Sequence, residues 1–245
     1  MPWPYPRVFA HRGGGTLAPE NTLAAIRFGA EIGFRGVEFD VMLAGDDVPV
    51  LIHDETLQRT TGQPGRVPDT ASVALARLDA GAWRGRRWRG EGIPSFADAA
   101  QLCHTLTLCA NVEIKPAIGV ERETGAAVAT MARQLWPVTQ PLPLLSSFSV
   151  EALAAAREAA PELPRGYLID SIEPHWRATA ADLGCVAIHC NHRVLTRKLV
   201  REMHAAGYAV LAWTVNHRLT ARKLFSWGVD CVVTDALDRI TADLA

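Results

Sequence analysis

TRKLVREMHAAGYAVLAWTVNHRLTARKLFSWGVDCVVTD, residues 196–235, contains one arrangement twice. An amphipathic helical stretch (196–206) ends in Gly207 and passes straight into an apolar run (208–215); a second (217–227) ends in Gly228 and passes into 229–234. Glycine at such a junction supplies the left-handed cap that turns a helix into the next strand. Gly33 and Gly184 stand in the same position after earlier helical stretches. The cadence is supersecondary, not a true sequence repeat. Short connections of this kind favour a parallel sheet, and about eight such units favour a closed barrel.

Outward from that stretch the alternation continues. Strands are expected at 7–11, 36–43, 48–53, 108–115, 143–148, 165–169, 185–190, 208–215 and 229–234. Helices are expected at 21–32, 95–105, 120–135, 149–159, 174–183, 196–206 and 217–227, with Asn21 as the N-cap of the first. The fold class is therefore α/β, a (β/α)₈ TIM-type barrel. Nine strands are one too many for it, so one should lie outside. Residues 55–94, rich in Gly, Pro, Arg and Thr, break the rhythm after the third strand and predict an inserted loop or lobe. The whole, 1–245, is expected to be a single barrel domain carrying that insertion.

Composition excludes several classes. The chain is 49% hydrophobic and 21% charged, with a formal charge of −1, so no general basic field would hold nucleic acid or an anionic membrane. No apolar run approaches the ~20 residues that span a bilayer. The five cysteines, an odd number without a C-x-x-C pair, fit a reducing compartment better than a disulfide framework. The opening Met1-Pro2-Trp3-Pro4-Tyr5-Pro6 lacks the basic and apolar regions of a secretory leader. Cytoplasmic location is the expectation, with a small molecule as partner and oligomeric state left open.

The chemistry concentrates between Val37 and Asp54. The runs 36–43 and 48–53 are joined by Ala44-Gly45-Asp46-Asp47, too short for a parallel crossover, so they predict an antiparallel hairpin. The simplest register pairs Leu43 with Val48, hence Glu38 with His53 and Asp40 with Leu51. One face then carries Val37, Phe39, Val41, Val48, Val50 and Ile52; the other gathers Glu38, Asp40 and His53. A slip of one residue would scatter this polar set and expose the apolar face. In Asn111-Val112-Glu113-Ile114-Lys115 the alternation places Asn111, Glu113 and Lys115 on one side. The first strand ends in His11-Arg12-Gly13-Gly14-Gly15. All these groups fall at or beside the carboxyl ends of strands, where barrels collect functional residues.

The inventory is three carboxylates (Glu38, Asp40, Glu113), two imidazoles (His11, His53) and two cations (Arg12, Lys115). Oxygen ligands suit one hard divalent ion, Mg²⁺ or Ca²⁺, better than zinc. Two histidines can divide general acid and base work, and an arginine and a lysine can hold a phosphate. Together they fit hydrolysis of a phosphate ester.

At these residues the sequence resembles the glycerophosphodiester phosphodiesterase family, nearest to its short bacterial cytosolic members. The matching stretches, in family order, are His11-Arg12-Gly13, Pro19-Glu20-Asn21-Thr22, Glu38-Phe39-Asp40, His53-Asp54, Leu57 with Arg59-Thr60-Thr61, Glu113-Ile114-Lys115, Trp213-Thr214-Val215-Asn216, Gly228-Val229-Asp230 and Thr234-Asp235. The resemblance implies a barrel related to phospholipase C, with the metal on Glu38, Asp40 and Glu113. It implies His11 and His53 as the acid/base pair, Arg12 and Lys115 on the phosphate, and glycerol 3-phosphate and an alcohol as products. Which histidine is the base is left open, as is the choice between water and the substrate's 2-hydroxyl as attacking group. Glu20 is read as bracing the site. The hairpin turn departs from the family's Thr-x-Asp-Gly; aspartate tolerates positive φ, so the turn should survive. Two rival functions fit the same barrel, a lysophospholipase D-like activity and a non-catalytic phosphodiester sensor.

Trp213 stands evenly between walling the pocket and packing in the core. His189 reads more readily as structural than as a pocket residue. The basic-aromatic stretch Trp83-Arg84-Gly85-Arg86-Arg87-Trp88-Arg89 reads as solvated surface of the insertion.

Overall fold

Alternating apolar strands and one-sided helices produce, in chain order, β1 (Val8–Ala10), α1 (Leu23–Glu31), β2 (Gly36–Leu43), β3 (Pro49–Leu51), α2 (Gln58–Thr61), α3 (Ser72–Leu75), α4 (Phe96–Thr105), β4 (Cys109–Ile114), α5 (Glu121–Leu135), β5 (Leu144–Ser147), α6 (Val150–Ala159), β6 (Arg165–Ile169), α7 (Trp176–Asp182), β7 (Ala187–Asn191), α8 (Arg197–Ala205), β8 (Ala209–Trp213), α9 (Arg218–Trp227) and β9 (Cys231–Thr234). The computed structural model describes residues 3–136 and 141–244. Met1 and Pro2, the start of the segment read as lacking a leader, and Ala245 at the far bound of the expected domain lie outside the described residues.

Eight strands pair in parallel and close into a (β/α)₈ barrel, in the order β1-β9-β8-β7-β6-β5-β4-β2, with β2 returning to β1. The surplus strand is β3, antiparallel to β2 and outside the ring. β4 lies along one edge of β2 from Gly36 to Val41; the other edge carries β1 at Gly36–Val37 and β3 at Val41–Leu43. Gly33, Gly184, Gly207 and Gly228 all have left-handed φ, between 61° and 101°, at the ends of their helices. Side chains of Thr22, Ser95, Ser149 and Thr196 cap the N-termini of α1, α4, α6 and α8. Thr22, and not Asn21, therefore caps α1.

Strand alternation sorts the core. Outward-facing Val37, Phe39, Val41, Val112 and Ile114 meet the helices of the first half, and Val8, Ala10, Ile188, Val210 and Val232 those of the second. Inside the barrel Phe9, Leu144, Leu211, Cys231 and Val233 form an apolar plug with Tyr5. Two residues farther along the same strands, on the same inward parity, stand His11, Ser146, Trp213 and Asp235. The plug thus passes directly into the polar end of the barrel.

The hairpin register differs by one residue from the sequence expectation. Val41 faces Leu51, Met42 faces Val50 and Leu43 faces Pro49. Ala44 then bonds to Val48, leaving a three-residue loop whose last member, Asp47, has φ 60°. A left-handed residue in that place is what a three-residue hairpin loop requires. The apolar face this register creates is not exposed. Met42, Val50 and Ile52 are covered by Leu57, Val67, Leu75, Ala80 and Ile93, so the insertion provides its cover.

The insertion consists of α2, α3 and short 3₁₀ turns. Arg84, Arg86, Arg87 and Arg89 are exposed, as the solvated reading expected. Arg87 also stacks on Trp88 and bonds to the Leu17 carbonyl, while Trp88 meets Phe28 edge-on, which fastens the insertion to α1.

Gly29, inside α1, lets that helix approach the loop after β1; a Cβ there would lie 2.3 Å from the Gly13 carbonyl oxygen. In an open helix Gly→Ala gains about 1 kcal/mol. Here overpacking of about 1–3 kcal/mol opposes it. Gly29→Ala is therefore expected to lower the urea midpoint; a raised midpoint would show that the loop yields without cost.

Candidate active site

Inward alternation brings Glu38 and Asp40 of β2 beside Glu113 of β4, whose neighbours in register are Asn111 opposite Glu38 and Glu113 opposite Asp40. Ligand oxygens of Glu38, Asp40 and Glu113 all lie within 4.8 Å of one another. Glu38 and Asp40 are buried and Glu113 partly so. Burial, with the charges of Asp40 and Glu113 beside it, pushes Glu38 up to about 8. Burial and Asp40 push Glu113 up to about 7. For Asp40 burial is outweighed by Arg12, His53, Lys115 and a hydrogen bond from Asn21, which hold it below the usual carboxylate range. Three carboxylates so placed, with Glu38 Oε1 buried and without a partner among the described residues, form an all-oxygen donor set that fits a hard divalent cation.

The cations approach from two sides. Arg12 Nε lies 3.4 Å from Asp40 and its Nη1 donates to Glu20 at 2.8 Å. Lys115 Nζ lies 3.3 Å from Glu113 and 3.9 Å from Asp40. Arg12 holds a left-handed φ of 49°, and its backbone N–H donates to Glu38 at 2.9 Å. Such a conformation costs an arginine about 1–2 kcal/mol. The return is that one residue serves the site with both backbone and side chain. Asn21, also left-handed, donates from Nδ2 to Asp40 and accepts from the Asp40 backbone N–H. It fixes a carboxylate instead of capping a helix.

Each histidine has an aspartate. His11 Nδ1 bonds to Asp235 at 2.5 Å, and its Nε2 stands 3.8 Å from Glu38. Burial alone would lower His11, but Asp235 and Glu38 outweigh it and raise the ring to about 9. Asn216 holds Asp235 in turn, donating to Oδ2 and accepting from the Asp235 backbone N–H. His53 bonds through Nδ1 to Asp54 at 2.6 Å. Burial, with Arg12 and Lys115 nearby, leaves His53 below the usual histidine value despite Asp40 and Asp54. β3 ends at Leu51, so His53 enters from the loop and no Glu38–His53 pair across the hairpin forms.

Arg59, from α2 of the insertion, joins these pieces. Its Nε donates to Asp54 at 2.5 Å, while Nη1 and Nη2 grip Glu20 at 2.6 and 2.8 Å. Glu20 bonds to Arg12, so one chain of contacts links His53 to the carboxylate cluster. Asp54, Arg59, Asn216 and Asp235 have no role assigned in the sequence, although each falls in a quoted motif; adjacency alone does not reveal which carboxylate turns toward which imidazole.

The groups line a pocket of about 120 Å³, with Asn111, Phe148, Leu168, His189, Leu211 and Trp213 as its other main walls. Trp213 thus lines the pocket, with Phe148 against it edge-on at 5.4 Å. His189 lines it as well, and neither ring nitrogen has a protein partner among the described residues, unlike a satisfied structural histidine. A larger apolar groove of about 640 Å³, bordered by Trp3, Tyr5, Val186 and Tyr208, holds none of this chemistry.

Comparison with known proteins decides the family. The model of the glycerophosphoryl diester phosphodiesterase family matches residues 11–239. The chain belongs to that family. It is 32% identical over 234 residues to a glycerophosphodiester phosphodiesterase of Caldanaerobacter subterraneus subsp. tengcongensis, covering 93% of each chain. A solved Oleispira antarctica phosphodiesterase, in complex with the product sn-glycerol-3-phosphate, superposes with a TM-score of 0.91 at 39% identity over 95% of this chain and 94% of that one. A glycerophosphodiester phosphodiesterase from Agrobacterium tumefaciens gives a TM-score of 0.81 at 27% identity, over 95% and 97% of the two chains. This chain is an enzyme of the same phosphodiesterase class.

Folding raises the proton affinity of His11, so its contribution to stability is complete below its unfolded value of 6.5 and is lost as pH climbs through about 9. In metal-free protein, Asp235→Asn is expected to move the His11 titration downward, read from imidazole ¹⁵N shifts. An unmoved titration would assign the elevation to Glu38.

Proposed function

We propose that this enzyme hydrolyses small glycerophosphodiesters, such as glycerophosphocholine and glycerophosphoethanolamine, to glycerol 3-phosphate and an alcohol, and that it needs one divalent cation, Mg²⁺ or Ca²⁺. The observation that carries the reading is the triad Glu38, Asp40 and Glu113, with ligand oxygens within 4.8 Å of one another and lining, through Glu38 and Glu113, the same pocket as His11, His53, Arg12 and Lys115. The triad would hold the ion. When bound there, a divalent cation supplies Lewis-acid charge to phosphate oxygens.

The chain's own residues divide the remaining work. Arg12 and Lys115 bind the phosphate, Arg12 through its planar fork and Lys115 as a point charge. His11, raised to about 9 by its two carboxylate neighbours, carries a proton at neutral pH and donates it to the departing alkoxide oxygen. His53, lowered by burial and flanking cations, is neutral and accepts the proton of the attacking hydroxyl or water. Environments that push two titratable groups apart mark acid and base in this way. Asp235 and Asp54 hold the two rings by Nδ1, leaving Nε2 for the reaction. Trp213 and Phe148 offer an apolar wall to the glycerol moiety.

The charged and polar lining of the pocket, with His11, Arg12, Glu38, Asn111, Glu113 and Lys115, supports a small polar diester. The presence of both histidines and all three carboxylates supports turnover over mere sensing. The cysteines Cys103, Cys109, Cys185, Cys190 and Cys231 are all free, which supports the cytoplasm as its location. Among the described residues no helix is long and apolar enough to cross a membrane.

Release of glycerol 3-phosphate from glycerophosphocholine is expected with Mg²⁺ or Ca²⁺ and not with EDTA. The His11→Ala, His53→Ala double variant should lose at least about 10²–10⁴-fold in kcat. Folded protein that turns over neither diester with either metal would overturn the reading. The pH profile of kcat/KM should fall on the acid side as His53 gains a proton and on the alkaline side as His11 loses one. Asp235→Asn should bring the alkaline limb to lower pH; a shift of the acid limb instead would exchange the two roles.

A further inference from the structure

Inside the barrel is a polar group that the chemistry above does not use. His189 of β7 is wholly buried and lines the pocket, yet neither of its ring nitrogens has a partner among the described residues. Leaving a buried polar group unpaired costs about 1–3 kcal/mol, so stability does not explain an imidazole there. The space it occupies is also specifically provided. Gly166 lies within β6, where glycine weakens a strand, and a Cβ at that position would meet His189 Nε2 at 2.2 Å. Glycine is what makes a seat for the ring.

The surroundings indicate what the ring could bind. Leu168 and Leu211 are its partners in register on the adjoining strands, and Trp213 closes the same wall. Asn111 also lines the pocket, with a buried Oδ1 that has no partner among the described residues. Arg12 and Lys115, the cations suited to a phosphate, come from the loop after β1 and the end of β4. Burial pushes His189 down to about 3, so the imidazole is neutral across the physiological range. A neutral imidazole offers one donor and one acceptor, which matches a hydroxyl group.

We propose that His189, seated against Gly166, recognises a hydroxyl of the glycerol moiety, with Asn111 as a second polar contact, so that the pocket selects a polyol phosphate over an alkyl phosphate of equal length. The proposal rests on the glycerophosphodiester reading above. His189 is a specificity-determining residue here and takes no part in proton transfer.

The test compares sn-glycerol 3-phosphate with propyl phosphate, which has the same three carbons and no hydroxyls. Both are titrated calorimetrically, with Mg²⁺ present, into wild type, His189→Phe, His189→Gln and Gly166→Ala. Wild type is expected to bind glycerol 3-phosphate at least about tenfold more tightly. His189→Phe and Gly166→Ala should shrink that preference to within about threefold while propyl phosphate affinity stays nearly constant, and His189→Gln, whose carboxamide also offers a donor and an acceptor, should restore part of it. No preference in wild type, or a preference intact in both His189→Phe and Gly166→Ala, overturns the proposal. So does an equal loss for both ligands, the mark of a purely structural role. Thermal melts identify a variant that fails to fold, and the other variants then carry the comparison. Turnover of glycerophosphocholine is followed separately. Its absence would remove the hydrolytic reading while a preference that depends on His189 would still uphold this assignment.

Discussion

Bringing three carboxylates to one end of a barrel, two of them buried, sets the terms for everything around them. Each carboxylate loses hydration and gains two like-charged neighbours, and both effects favour its neutral form. Glu38 and Glu113 are pushed up accordingly, while Asp40 is held down by the groups that converge on it. The Lys115 and Asn21 side chains and the Arg12 backbone N–H turn to these three residues, and the Arg12 side chain reaches Asp40 while bonding to Glu20. The left-handed conformations of Arg12 and Asn21 belong to the same requirement, since both place polar groups against β2. Local strain of this kind persists where surrounding structure overdetermines it.

The two imidazoles are tuned against that cluster in opposite directions. His11 stands between Asp235 and Glu38 and gains proton affinity from both. His53 has an aspartate too, but Asp54 is shared with Arg59, and Arg12 and Lys115 add positive charge nearby. Two residues of one type, each with a carboxylate on Nδ1, are thus shifted in opposite directions by what lies beyond that carboxylate. The insertion after β3 reaches the candidate site through Arg59, which bonds to Asp54 and Glu20. It also covers the second apolar face of the hairpin, so one segment positions the His53 loop both by packing and by charge.

The barrel separates its duties by depth and parity. Apolar side chains from Phe9 to Val233 close its interior below, and two positions farther along the same strands stand His11, Ser146, Trp213 and Asp235 at the polar end. At the level of the plug, in register with Leu211, lies His189, in a space left by Gly166. A neutral ring at that depth and cations near the strand ends give the two ends of the pocket different chemical character.

Much of this was determined by the sequence alone. The helix-glycine-strand cadence, the alternation in β2 and β4, and the surplus ninth strand all rest on local periods and backbone preferences, which do not depend on distant contacts. For the same reason the inward set Glu38, Asp40 and Glu113 was legible as a group. Tertiary structure alone decided the rest. The hairpin shifted by one residue because Asp47 accepts positive φ and because the insertion covers the face that the shift leaves apolar, a contact between residues remote in sequence. Asn21 yielded the helix cap to Thr22 because Asp40 lies within its reach. The pairing of His11 with Asp235, 224 positions away, exists only once the barrel has closed β9 against β1. Periodicity fixes which way a side chain faces; ring closure fixes what it meets.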